Sequence, residues 1–437
     1  MAFPRNSLRA FLTHAKKSLF TAIQSSQKVT IVVGNESADL DSLTASVLYS
    51  YIRSLAPPSG AFTPLYIPVL NIPDADIRLR PEFSAVFRHA NIDASYLVTL
   101  DDVLGVHGTA FRPEKTKIIL VDHNSLRGEL GKDFATRVQG VVDHHEEEPR
   151  IVTDTSPEPR VIEKCGSCTS LVVRTLKPSW ESGPGGSSLV SGAAHGQGDT
   201  VDNDASVTRN WDAQIAKMAL ASILVDTANL TAAGKVEQAD IDAVRYLEAK
   251  INLSPQHAVQ WDRTKFYECI DAAKRDIGAL SFEDILRKDY KQWTENELNL
   301  GVSSVVKPLG FLAEKITGNP SEDKEDQFVT EIGDFMAARS LTIFAVMTTF
   351  TSSSGEFQRE LYVQALSSGH AAAHRFAAQA KEQLKLEDHA VASLSEKPGS
   401  MQPSSEGPWR KIWLQKDVSK SRKQVAPLMR RAMKEAI

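Results

Sequence analysis

Three places in this chain put acid and imidazole, or paired acids, directly behind a short β-branched run. Residues 138–142 lead into Asp143-His144-His145, and residues 116–121 lead into Asp122-His123-Asn124. Residues 28–34 lead into Asn35-Glu-Ser-Ala-Asp39-Leu-Asp41. Such runs have the look of buried strands, and the strands of an open α/β sheet deliver functional groups at their carboxyl ends. Carboxylates and imidazoles gathered there are costly to bury unless a cation sits among them. The chemistry they suggest is that of a divalent metal site built from several strand ends. A fourth acid, Asp226, closes an amphipathic helix marked by Ile215, Ala216, Ala219, Leu220, Ile223 and Leu224.

Taken singly, each motif is weak. Asp39 and Asp41 are two apart, so in an extended loop both side chains point the same way. The helix that follows, with Leu43, Val47, Leu48, Tyr51 and Leu55 at helical spacing, aims its positive end at the same region. Asp41 would serve equally as an ordinary helix cap, and a lone histidine at a strand end is most often a hydrogen-bonded structural residue. Three such ends in succession are what favour a site.

The elements that must position these residues imply an α/β chain. Its 437 residues exceed one ordinary core, so two domains are expected: residues 1–251, a linker at 252–264, and a smaller mixed α/β domain at 265–437. With 42% hydrophobic and 24% charged residues the composition is that of a globular protein, and a net charge of -5 gives no general attraction to nucleic acid. No apolar run is long enough to span a membrane. Three cysteines, Cys165, Cys168 and Cys269, suit a reducing compartment, and Cys165-Gly-Ser-Cys168 lacks the second pair of a zinc site. That segment is expected to be a turn and the first residues of a helix, with Ser167 or Thr169 near its N-cap. The N-terminus is basic and free of acids before Glu36, as in a mitochondrial transit peptide. Leu8, Phe11, Leu12, Ala15, Leu19 and Ile23 nevertheless form one helical face, so a docked helix and a cytoplasmic location are favoured. Residues 181–206, rich in Gly and Ser, are expected to form a surface insertion.

The second half has its own signals. Residues 341–350 and 357–365 flank Thr351-Ser-Ser-Ser-Gly355 as the arms of an antiparallel hairpin. Beyond Met401 the chain turns basic, and Ser421-Arg422-Lys423-Gln424 groups donors suited to phosphate oxygens, arginine by its planar fork and lysine as a point charge.

In order and spacing, Asn35-x-x-x-Asp39-x-Asp41, Asp122-His123-Asn124, Asp143-His144-His145 and Asp226 resemble the four motifs of the DHH phosphoesterase superfamily. The second half resembles the companion domain of family II inorganic pyrophosphatases, eukaryotic cytosolic exopolyphosphatases and prune proteins, through Asp289-Tyr290-Lys291 and Ser421-Arg422-Lys423-Gln424-Val-Ala-Pro427. The pyrophosphatases begin their first motif with histidine; Asn35 is similar to the fungal exopolyphosphatase pattern.

The resemblance implies a parallel-sheet DHH domain, a C-terminal substrate-binding domain and an active site in the cleft between them. It implies an exopolyphosphatase that releases orthophosphate from the end of linear inorganic polyphosphate, with a pyrophosphatase or a prune-like interaction protein as alternatives. Two divalent ions, magnesium first and manganese or cobalt also, would hold a bridging hydroxide for in-line attack. Implied metal ligands are Asn35, Asp39, Asp41, Asp122, His144 and Asp226, with Asp122 as bridge. His145, Lys291, Arg422 and Lys423 would grip phosphate oxygens, Asp143 would orient a neighbouring histidine, and His123 would stand near the leaving oxygen. Expected partners are polyphosphate alone, without nucleic acid or membrane, and a monomer is favoured over an oligomer.

Overall fold

The computed structural model describes residues 2–105, 112–148, 155–182, 199–316, 323–391, 394 and 408–436. They divide into two compact units, Met1–Lys274 and Arg275–Ile437.

The first unit is built on six parallel strands: β1 (Val29–Val33), β2 (Tyr66–Leu70), β3 (Val98–Thr99), β4 (Thr116–Val121), β5 (Val138–Asp143) and β6 (Arg160–Ile162). Their order across the sheet is β3-β2-β1-β4-β5-β6, with every pairing parallel. The three strands predicted from β-branched runs are its centre. Alternation sends their side chains into two cores. Val32, Ile119, Val121 and Val142 face helices Leu40–Leu55, Cys168–Ser182, Asp199–Asp226 and Gln238–Asn252, whereas Ile31, Val33, Ile118, Leu120 and Val141 pack on the opposite side.

Chain order runs outward from β1 to β3 and then returns to β4 on the other flank of β1. The sheet therefore reverses direction between β1 and β4, the place where open α/β sheets open a crevice at their carboxyl edge. Asn35, Asp122 and Asp143 all lie at that edge. Gly34 is required at the exit of β1: a Cβ there would lie 2.5 Å from Cβ of Ser42, where the strand passes under the start of helix Leu40–Leu55.

Helix Leu8–Gln24 is docked as expected. Leu8, Phe11, Leu12, Ala15 and Leu19 are buried, and Arg5 just before it forms a buried ion pair with Asp212 at 2.6 Å. Two boundaries differ from expectation. The helix ending at Asp226 starts at Asp199 rather than near Trp211, because the sequence from 199 to 210 is mostly polar and carries little apolar period. Helix Arg263–Arg275, assigned by sequence to the second domain, sends Phe266 and Ile270 into the first unit's core, so the division falls after Lys274. Most of the 181–206 insertion lies outside the described residues. No described helix is long and apolar enough to cross a membrane.

The second unit holds a mixed sheet of β7 (Tyr290–Glu295), β8 (Leu298–Val305), β9 (Ile343–Thr348), β12 (Glu360–Ala365), β13 (Leu386–Asp388) and β14 (Trp409–Gln415). The order is β13-β14-β12-β9-β8-β7, antiparallel except for β8 with β9. The predicted hairpin is β9 and β12, extended at its tip by β10 (Phe350–Thr351) and β11 (Phe357–Gln358). Helices His370–Gln383 and Arg422–Lys434 cover one face of the larger sheet.

Candidate metal centre

At the carboxyl edge of the first sheet, Asp122 is the meeting point. It follows β4 with φ +61°, a left-handed conformation that turns the chain sharply and that aspartate tolerates better than most residues. One carboxylate oxygen, Oδ2, accepts from the Asn35 amide nitrogen and from the Ser42 hydroxyl, each at 2.7 Å. That leaves Oδ1 facing His144 Nε2 at 3.1 Å and His145 Nδ1 at 3.8 Å. Asp122, His144 and His145 each offer one ligand atom within 4.8 Å of the others, a grouping able to hold a metal ion.

His144 is held for that task. Its Nδ1 lies 3.0 Å from the carbonyl oxygen of Cys165, which can only accept, so the proton is on Nδ1 and the Nε2 lone pair is left for a cation. The same Nε2 is 3.7 Å from Asp41 Oδ2. Asp143 is wholly buried and accepts from His145 Nδ1 at 2.7 Å and from the backbone N–H of His144 at 2.8 Å. Asn124 closes the other side, donating to Asp143 at 2.6 Å. Burial works against the charge on Asp143, but His145, His144 and His123 together hold its carboxyl well below the usual carboxylate range.

The remaining acids crowd the same spot. Burial, followed by Asp39 and Asp41, pushes the Asp122 carboxyl up to about 7, against the pull of His144. Asp226, at the end of its helix, is likewise pushed up to about 7 by desolvation and by Asp41 and Asp39, with Lys274 and His144 acting the other way. Four carboxylates from three stretches of chain thus repel one another in a dehydrated place. Left to themselves two of them hold protons near neutrality; a cation removes the conflict. The donor set of carboxylate oxygens with imidazole suits a divalent ion.

Asn35 stands in this cluster in a different posture from the one expected of a ligand. Its amide nitrogen faces Asp122, while its oxygen accepts from the backbone N–H and the hydroxyl of Ser37 at 2.9 and 2.7 Å. An amide nitrogen carrying two hydrogens has no lone pair for a cation, so Asn35 here aims Asp122. His123 turns Nδ1 to the Val121 carbonyl at 3.0 Å, pinning the ring to its own strand.

Several contributors escaped the sequence reading. Buried Arg80 donates Nε to the Ala38 carbonyl at 2.8 Å and a second nitrogen to the Ser37 carbonyl, bracing the loop that carries Asp39. Asp41 is surrounded by the start of helix Cys168–Ser182: Oδ1 accepts from Ser167 Oγ (2.7 Å), Thr169 N–H (3.0 Å) and Thr169 Oγ1 (2.7 Å), and Oδ2 from Cys168 N–H (2.6 Å). The donor-rich run Gly166-Ser-Cys-Thr-Ser170 at a helix start was the available signal, because such an end attracts an anion. The thiols of Cys165 and Cys168 are buried and unpaired to each other; burial pushes Cys165 up to about 12 and Cys168 well above the usual thiol range.

In the second unit, two of the sequence-predicted segments meet. Arg422, first residue of a helix capped by the Ser421 hydroxyl, donates to the backbone carbonyl of Asp289 at 2.8 Å and to its carboxylate at 2.6 Å. Asp289 directly precedes β7, on which Lys291 lies; Lys423 follows Arg422.

The comparisons with known proteins agree in order with these two units. A profile described as "DHH family, N-terminal domain" matches residues 29–193, and one described as "DHHA2 domain" matches residues 268–432. The chain belongs to the DHH phosphoesterase family. Among the relatives of this DHH–DHHA2 chain is a Schizosaccharomyces pombe protein named "Putative exopolyphosphatase", 28% identical over 433 residues, 99% of this chain and 96% of that one. The human protein "Exopolyphosphatase PRUNE1" is 24% identical over 78% of this chain and 64% of its own length. In fold the chain resembles a crystal structure titled "Methanococcus jannaschii putative family II inorganic pyrophosphatase", with TM-score 0.54 and 17% identity over 93% of this chain and 99% of that one.

Proposed function

We propose that the chain is a metal-dependent exopolyphosphatase that cleaves the terminal phosphoanhydride of linear inorganic polyphosphate. The observation that carries this is the convergence of Asp39, Asp41, Asp122 and Asp226 with His144, in which Asp122 and Asp226 are pushed up to about 7. Similarity over 99% of this chain to a relative named "Putative exopolyphosphatase" supports the choice of substrate.

In this proposal Asp39, Asp41, Asp122, His144 and Asp226 would hold two divalent ions, magnesium or manganese. Bound there, such ions supply an acidified water at neutral pH and take up charge on the phosphoryl oxygens. The chain's own groups do the rest. Asn35 and Ser42 hold Asp122 Oδ2, so that Oδ1 is the oxygen turned inward. His145, kept in one orientation by Asp143, grips a phosphate oxygen. Lys291, Arg422 and Lys423 neutralise further phosphate charge, and the bidentate hold of Asp289 keeps the Arg422 fork from swinging. His123 offers its ring to the leaving oxygen.

Phosphate release from pyrophosphate, tripolyphosphate and long-chain polyphosphate, measured in parallel with magnesium and then manganese, tests the assignment. Faster turnover of tripolyphosphate and longer chains is expected. Preference for pyrophosphate over every longer chain would reject it in favour of a pyrophosphatase.

A further inference from the structure

The turn Cys165-Gly-Ser-Cys-Thr-Ser170 contains no residue assigned to metal or substrate, yet it reaches the surroundings of all four acids except Asp39. Its inner side gives Asp41 four hydrogen bonds. Its Cys165 carbonyl fixes the His144 tautomer at 3.0 Å. The Cys168 thiol donates to the Val142 carbonyl at 3.1 Å and accepts from the backbone N–H of Asp122 at 3.2 Å, bridging the ends of β4 and β5. Gly166 packs on Thr227, the neighbour of Asp226.

The outer side of the turn is held by a single carboxylate. Asp240, in the first turn of helix Gln238–Asn252, is 0% exposed. It accepts from Gly166 N–H (2.9 Å), Ser167 N–H (3.2 Å), Ser170 Oγ (2.7 Å) and the Cys165 thiol (3.0 Å), and also from Glu237 N–H (2.9 Å). The approach is as close as chain allows: a Cβ on Gly166 would lie 2.7 Å from Asp240 Oδ2 and 2.6 Å from Thr227 Cγ2. Converging donors of this kind need an anion at their centre, because their aligned N–H dipoles would otherwise point at one another without compensation.

We infer that Asp240 is a positioning residue of the metal centre, acting through the Cys165–Ser170 turn on Asp41 and His144. The inference rests on the reading of Asp41 and His144 as metal ligands. Outer-layer partners of this kind change metal affinity by about 10- to 100-fold when altered. Asparagine at 240 keeps the shape, but its NH2 group must face Gly166 or Ser167 N–H, so the turn shifts and takes the Asp41 donors and the Cys165 carbonyl with it.

The test is a Mn2+ titration of the metal-free full chain, followed by loss of the free-ion EPR signal, alongside a melting curve without metal. Asp240→Asn is compared with Glu158→Gln, which alters another buried carboxylate of the same unit, one bonded to Tyr49 and Tyr66 and paired with Arg53. Wild type should take up Mn2+, Asp240→Asn should bind it about tenfold or more weakly, and Glu158→Gln should melt earlier while keeping the wild-type affinity. Should Asp240→Asn not fold, Ser170→Ala, which removes one donor to Asp240, decides: about threefold weaker binding, the worth of one hydrogen bond, supports the role, and unchanged binding overturns it. Affinity unchanged in Asp240→Asn, or weakened equally in Glu158→Gln, also overturns it. A wild-type chain that takes up no Mn2+ defeats the metal-ligand reading itself, and the role of Asp240 falls with it.

Discussion

The acidic centre of the first unit and the basic residues of the second are built in opposite ways. Asp41, Asp122, Asp143 and Asp240 are almost entirely buried, and the bonds that hold them come largely from backbone N–H groups and from Ser, Thr, Cys, Asn and His side chains. Arg422 and Lys291 are only half-buried, and Arg422 is steadied by one partner, Asp289. The difference follows from side-chain length and charge. Short carboxylates cannot reach out, so the fold must bring them together and dehydrate them, and each then needs its own donors. Long cationic side chains can pack their stems and still present the charged head, so they can gather phosphate oxygens without a preformed cage. The first arrangement stores electrostatic conflict for an ion to relieve; the second stores little.

The sharpest way to break that contrast is Asp122→Asn. Loss of the inward-facing carboxylate should lower kcat by about 10^3-fold or more, at the upper end of what one electrostatic group supplies. Its melting temperature should hold, because a neutral side chain of the same shape relieves repulsion from Asp39 and Asp41. Near-normal turnover would remove Asp122 from the centre of the mechanism. Next in size is the response to metal and pH. Asp122 and Asp226 have folded-state values near 7 against an ordinary 3.8. A raised carboxyl favours the folded state below pH 4, and that contribution is lost as pH rises towards 7. The metal-free protein should therefore melt progressively earlier across that window, and Mn2+ at roughly 100 times its Kd should restore about 2.7 kcal/mol at neutral pH. Calorimetry with and without chelator checks both; a melting temperature indifferent to both variables would show that the carboxylates are not in conflict.

On the other side of the contrast, Arg422→Ala should lower kcat/KM for polyphosphate by roughly 10- to 100-fold, the worth of one or two charged hydrogen bonds, with little change in melting temperature. Arg422→Lys should recover part of it, since charge remains and the fork is lost. Unchanged steady-state kinetics would take Arg422 out of substrate binding. The smallest effect expected is that of Ser42→Ala. It removes one of two donors to Asp122 Oδ2 and should cost about 1 kcal/mol, read as a drop of about 2–4 °C in melting temperature. An unchanged melting temperature would show that the Ser42 hydroxyl does not support the carboxylate.

Much of this was legible in residue order. β1, β4 and β5 stand where β-branched runs placed them, and Asp122 and Asp143 stand at their ends because strand polarity leaves no other place. The N-terminal helix was readable from its apolar face. The turn and helix start at Cys165–Ser170 were readable as well; that they enclose Asp41, and that Arg80 and Asp240 act as anchors, was not. Serine, threonine, glycine and backbone N–H are common at every helix start, and only the anion they meet gives them meaning. The start of helix Asp199–Asp226 and the placement of Arg263–Arg275 escaped for a related reason: a mostly polar run shows little period, and which core takes Phe266 is a matter of packing.

The sequence by itself determined the parallel sheet, the acids and histidines at its carboxyl edge, and the class of ion they attract, because strand period and residue chemistry are local properties. Only the tertiary structure decided that Asn35 turns its nitrogen to Asp122, that Asp41 lies inside a helix start more than a hundred residues away, and that Asp240 holds that helix start in place. Those are choices among many donors able to satisfy a buried carboxylate, and they are made by whichever groups packing brings within hydrogen-bond reach.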